Sequence, residues 1–151
     1  LHTGAAIPPF RKQFCVPIYL DDVTLEFPDL TIIAAHVGFG WWQQLSFMID
    51  RKTNLMADIS GWQTLAKDFN LFCRYFRDMI SLGGSENFLF ATDGPSFRLY
   101  SLGNKEWGNL IRTLPEKAPP GIRFSPEEID NVLFKNALRV MKIKDMKELE
   151  K

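Results

Sequence analysis

The groups best placed to do chemistry in this sequence are its two histidines and a few carboxylates, each closing an apolar run. His36 ends the run TIIAAH and is followed by Val37-Gly38. Asp93 ends a second run, in the stretch FLFATDGP, and is followed by Gly94-Pro95. Asp58 and Ser60 end a third, NLMADIS. His2 precedes Thr3-Gly4 at the chain start, where a strand end would fall if another strand lay upstream. Imidazole and carboxylate are donors for a hard or borderline metal ion, and either can move a proton. Each residue also has a plainer use. A strand-end histidine can be a hydrogen-bonded packing group, an Asp before Gly-Pro can make an Asx-type turn, and Asp58 can bond locally. What singles out His2, His36 and Asp93 is that they share one kind of position. In parallel α/β sheets, ligands bind at the carboxyl ends of the strands.

The elements that would carry these residues follow a strand-then-helix rhythm. A continuous apolar run such as 31–36 fits a strand covered on both faces. Further strands are expected at 54–60 and 87–92. In the first of these, Leu55, Ala57 and Ile59 share one side, and Met56, Asp58 and Ser60 the other. Pro17 to Glu26 reads as a short helix. Trp42, Leu45, Met48 and Ile49 would share one face of a second helix. Phe69, Phe72, Phe76, Met79 and Ile80 form the stripe of a third, stopped by Gly83-Gly84. The long connection from Asp93 to Phe124 should carry function or structure of its own. Trp107, Leu110, Ile111 and Leu114 recur at helical spacing and predict a short helix inside it. The run SPEE puts Ser125 at an N-cap, Pro126 at N1 and Glu128 at N3, a capping box. Ile129, Val132, Leu133, Ala137 and Val140 form the buried face of the helix that follows. Residues 144–151 read as a charged tail on a unit spanning 1–143. Alternation of this kind argues for an α/β fold with a parallel sheet.

Bulk properties exclude several classes. At 151 residues the chain can enclose one core, and a 46% hydrophobic, 24% charged composition is that of a globular protein. The formal net charge is zero, so the chain shows no footprint for nucleic acid or an anionic membrane. No apolar run approaches the roughly 20 residues that span a bilayer. Cys15 and Cys73 lack metal-site spacing, so a reduced, cytoplasmic protein is expected. The chain starts at Leu1 instead of a methionine, which reads as a processed product or a piece of a longer protein. A flavodoxin-like nucleotide-binding sheet is disfavoured because no Gly-rich phosphate loop follows a strand.

Taken in order, HTG, FPDLTIIAAHVG, NLMADISG, FLFATDGP and SPEEIDNVLFKNALRVMKI resemble the C-terminal half of the amidohydrolase superfamily. The branch is that of aminocarboxymuconate semialdehyde decarboxylase and related metal-dependent hydrolases and decarboxylases. The resemblance runs from residue 2 to about residue 143. It implies the second half of a (β/α)8 TIM barrel, the region of strands 5 to 8 with outer helices, and one divalent metal, most often zinc. Position by position, it implies His2 as the fifth-strand metal ligand. His36 becomes the sixth-strand histidine facing substrate and metal-bound water. Asp93 becomes the eighth-strand aspartate that binds metal and handles a proton. A metal in that place lowers the pKa of bound water towards about 7.

The same resemblance defines what is missing. The family's other two metal ligands form a His-x-His motif on the first strand, and this sequence contains none. A catalytic zinc wants at least three protein ligands, so the isolated chain is expected to bind metal weakly or not at all and to be inactive. Strands 31–36 and 87–92 would be left as edges, which calls for a missing N-terminal half-barrel or a second copy of the chain. The expected activity is a hydrolase or non-oxidative decarboxylase (a carbon–carbon lyase) acting on a small carboxylate or carbonyl compound. Trp41 and Arg98 are candidates for the substrate pocket, Arg98 through a substrate carboxylate. The alternative is a non-catalytic, truncated half-barrel serving as a structural or interaction module.

Overall fold

The computed structural model describes residues 1–4, 9–94 and 102–144. Three short strands build one parallel sheet in the order β1 (Ile32–Ala34), β2 (Leu55–Asp58) and β3 (Phe88–Leu89). Ile32 lies opposite Leu55, Ala34 opposite Ala57, and Ala57 opposite Phe88. Leu55, Met56 and Ala57 are buried in succession, so β2 is covered on both faces, as its unbroken apolar run predicts.

The crossovers are helical. After a one-turn 3₁₀ segment over Pro17–Tyr19, α1 runs Leu20–Glu26. Between β1 and β2 lies α2, Trp42–Arg51, burying Trp42, Leu45 and Ile49, with Met48 partly buried against them. Between β2 and β3 lies α3, Phe69–Gly83, started by Asp68, whose carboxylate accepts the Leu71 N–H at 2.9 Å. It ends at Gly84, whose φ of 77° suits a residue without a Cβ. Phe72, Phe76, Met79 and Ile80 are buried on its inner face, as the stripe predicts.

The long connection contains two helices where the spacing predicts one. They are α4, Asn104–Arg112, and α5, Leu114–Lys117, broken at Thr113 ahead of Pro115. Trp107, Ile111 and Leu114 are fully buried. The C-terminal helix begins as α6, Pro126–Asp130, and its capping box is present. The Glu128 N–H reaches Ser125 Oγ at 3.1 Å, and the Ser125 N–H reaches Glu128 Oε2 at 2.8 Å. A π-helical turn over Asn131–Lys135 follows, then α7, Asn136–Val140. Of the predicted buried face, Ile129 and Val132 are fully enclosed and Leu133, Ala137 and Val140 half-buried. Of the tail, only Lys144 lies within the described residues. No described helix is long and apolar enough to cross a membrane.

The sheet edges correct one expectation. On the β1 side, the Leu1 amine donates to Ile33 O at 2.8 Å, the Ala35 N–H donates to Leu1 O at 2.7 Å, and His2 bridges Ala35 in parallel. On the β3 side, the π turn sends the Asn136 N–H to Asn131 O instead of Val132 O. Val132 O accepts the Phe90 N–H at 2.8 Å, and Asn136 Nδ2 donates to Phe88 O at 2.8 Å. These two groups of β3 are the pair a further parallel strand would engage around Leu89. The paired strands are also shorter than 31–36, 54–60 and 87–92. Positive φ angles from His36 onward end β1, and beyond Leu89 the backbone turns its hydrogen bonding to the helix.

Candidate functional site

His36 sits where β1 gives way to a one-turn segment over His36–Gly38. Its φ is 67°, that of Val37 is 46°, and that of Gly38 is 54°. Positive φ is unfavourable for a β-branched residue such as Val37, and strained backbone of this kind persists only where neighbours over-determine it. They do so here. Trp62 Nε1 donates to His36 O at 3.0 Å, and Thr3 Oγ1 donates to Ala35 O at 2.6 Å while accepting the Gly38 N–H at 3.1 Å. The HTG motif is thereby clamped onto the end of β1. Its Gly4 has φ 96°, and a Cβ there would collide with the Phe39 backbone.

The clamp brings the two histidines together. His36 Nε2 lies 3.1 Å from His2 Nδ1, and the rings meet edge to face with centroids 4.8 Å apart. On the other side, His36 Nδ1 is 2.8 Å from Ser60 Oγ and 3.3 Å from Ser60 O. Asp58 Oδ1 accepts from the His36 N–H at 3.2 Å, from the Ser60 N–H at 3.0 Å, and from the Ser60 hydroxyl. The shared side of β2 predicted for Asp58 and Ser60 is thus turned towards His36.

Asp93 is exposed, lies four residues beyond β3, and has φ 48°, a conformation Asp tolerates in turns. Gly94 N–H donates to Thr92 Oγ1 at 3.3 Å. Trp41 is half-buried at the head of α2, beyond the His36 turn. Arg98 lies outside the described residues. Among the described residues no three His, Cys, Asp or Glu gather where they could hold a metal ion, so His2, His36 and Asp93 do not form one metal-holding group. The chemistry of His2 suits a ligand, but the set is incomplete within these residues.

Sequence reasoning missed Thr3, Trp62 and Gln63. Trp62 is 1% exposed and sits at the end of β2 with its one donor on His36 O. Gln63, also buried, donates to Thr92 O at 2.7 Å and ties the β2 and β3 ends together. For Trp62 and Gln63 the available signal was an amphipathic and a polar residue just past Gly61, which follows the strand-end D-x-S.

The described residues thus form a parallel strand–helix unit with imidazole and carboxylate groups gathered beyond its strand ends. The family model described as Amidohydrolase matches residues 1–143, and the chain belongs to that family. Its fold is similar to an amidohydrolase from Burkholderia multivorans solved with bound zinc. That match has 17% identity, covers 82% of this chain and 49% of that one, and has a TM-score of 0.57. The same protein with bound HEPES matches at 16% identity, 82% and 50% coverage, and a TM-score of 0.61. A 2,6-dihydroxybenzoate decarboxylase complexed with 2,6-dihydroxybenzoate matches at 19% identity, 82% and 38% coverage, and a TM-score of 0.50. The chain therefore spans half the length, or less, of the solved structures it matches. No curated protein matches significantly.

Proposed function

We propose that this chain is the strand 5 to 8 region of a (β/α)8 barrel, and that the barrel is a metal-dependent hydrolase or non-oxidative decarboxylase. Its substrate is a small carboxylate or carbonyl compound. The observation that carries the reading is the histidine pair, His36 Nε2 on His2 Nδ1 at 3.1 Å, held at adjacent strand ends by bonds from Thr3, Asp58 and Trp62. Two neighbours lend support through what they hold: zinc in one, and an aromatic carboxylate in the decarboxylase.

In this reading His36 handles a proton at Nε2, and metal donors come from Asp93, in the turn beyond β3, and from His2, on the segment beside β1. A divalent ion, when bound, supplies Lewis acidity. The described residues do not complete its ligand set, so no step is derived through it, and the remaining donors belong to parts of the barrel outside these residues. Trp41 would wall the pocket and Arg98 would meet a substrate carboxylate.

The test is made on the full barrel protein. About one divalent metal per chain is expected, with turnover of small carboxylates. His36→Gln should lower kcat by roughly 100-fold or more, and Asp93→Ala should lose both metal and activity. Unchanged metal content and rate in Asp93→Ala would end this site assignment. A second reading, a non-catalytic half-barrel module, draws on the incomplete donor set. It predicts neither metal nor turnover in the mature protein.

A further inference from the structure

We infer that Asp58 and Ser60 are positioning residues that set the tautomer of His36 through one hydrogen-bond chain, Asp58–Ser60–His36. The inference rests on the reading of His36 and His2 as site residues, but its geometry can be tested apart from any activity.

The direction of each bond follows from what each group can donate. An ionised carboxylate only accepts. Asp58 Oδ1 takes two backbone N–H groups and the Ser60 hydroxyl, so the single hydroxyl hydrogen of Ser60 points to Asp58. Ser60 Oγ then has only lone pairs to offer His36 Nδ1, 2.8 Å away. The second atom near Nδ1, the Ser60 carbonyl oxygen at 3.3 Å, also only accepts. Both neighbours therefore demand a hydrogen on Nδ1. Neutral His36 must carry its lone pair on Nε2, facing His2 Nδ1 at 3.1 Å. The carboxylate of Asp58, one strand away, thus decides which nitrogen of the His36 ring is basic. The other nitrogen's hydrogen bond is what fixes an imidazole's tautomer and orientation.

A purely structural role for Asp58, capping the end of β2, would be met by its bond to the Ser60 N–H alone. It would not call for the serine hydroxyl to stand between carboxylate and imidazole. The spacing D-x-S places both side chains on one side of β2, and the left-handed turn at His36 brings the ring to them.

The chain holds only two histidines, so two-bond ¹H–¹⁵N spectra of its imidazoles can be read directly. His2→Gln serves to assign them. The spectra are taken at a pH where both rings are neutral. The wild type is expected to show His36 protonated on Nδ1, with the Nε2 signal at the unprotonated position. Ser60→Ala should shift His36 towards the Nε2–H form that imidazole prefers in water, and Ser60→Thr should restore the wild-type pattern. Finding His36 protonated on Nε2 in the wild type overturns the proposal. So does a folded Ser60→Ala protein whose ring nitrogen signals do not move. If Ser60→Ala fails to fold, the wild-type spectrum alone decides. The expected His36 tautomer in this chain, with full activity in His36→Gln of the full barrel protein, would overturn the functional reading and leave the relay standing.

Discussion

Glu128 shows how much one carboxylate can carry. Burial alone would push its carboxyl group up, but the hydrogen bonds from Arg77 and the Ser125 N–H, together with the Arg77 charge, outweigh that and hold it below the ordinary carboxylate range. The Arg77 guanidinium meets it with two nitrogens, at 2.8 and 3.1 Å, while also donating to Arg123 O and lying over the Phe124 ring. A carboxyl whose pKa is lowered by folding stabilises the fold above its unfolded pKa, near roughly 4.3. That stabilisation disappears as pH falls through the lower folded value. Glu128→Gln should therefore lose about 1–2 kcal/mol at pH 7, with the difference from wild type closing in acid. Urea unfolding from pH 7 down to 3 measures it, and a constant difference across that range would contradict the assignment. The capping half of this arrangement was legible in SPEE, since a local pattern carries it. Arg77 was not, because its partner lies 51 residues away and no spacing encodes that. The same split applies at the site. His36 and Asp58 were legible as strand-end residues; Asp93 was read as one too, but β3 stops at Leu89, four residues earlier, and the left-handed Val37 was not legible at all, since nothing about a valine announces positive φ.

At the scale of elements, helices read well and strands read long. The apolar stripes of α2 and α3 follow from a period that repeats over several turns, so their existence and inner faces were plain. Strand ends depend on where backbone hydrogen bonds go, and the local sequence does not say that the Phe90 N–H goes to a helix. Asn136 supplies the missing clue in hindsight. It lies four residues after Val132 and four before Val140, a polar residue on an apolar stripe, and it is 2% exposed. Its amide serves Ser85 O and Phe88 O, both at 2.8 Å. Removing it strands two buried carbonyls, so Asn136→Ala should lose about 2–3 kcal/mol. It should also speed amide exchange at Phe90 more than at Ile59, within the sheet. Equal acceleration at both positions would mean that the helix does not hold the edge.

Over the whole molecule, the two flanks of the sheet differ. Beside β1, Leu1, Val23, Phe27, Leu30, Ile32 and Ile33 line an open apolar groove, and Leu1, Phe27 and Leu30 are each more than half exposed. In the barrel proposed above, this groove would face the remaining strands and helices. The 151-residue chain alone should associate as its concentration rises, and Leu30→Lys should weaken that association, by sedimentation. A wild-type chain that stays monomeric at every concentration removes the need for a cover. The absent His-x-His motif was legible in the sequence, but the place of this groove was not, because it is a property of the assembled surface. The helix-capped flank limits what can be built. Growth of a sheet from chain to chain needs a donor edge and an acceptor edge on every copy. Among the described residues, Phe88 O and Phe90 N are already engaged by the helix, which leaves the Leu1–His2 side as the edge on offer. In the barrel proposed above, a first strand could pair with β3 only once the helix gives up Phe88 O and Phe90 N, so the carbonyl released by the widened helical turn holds the place of a strand.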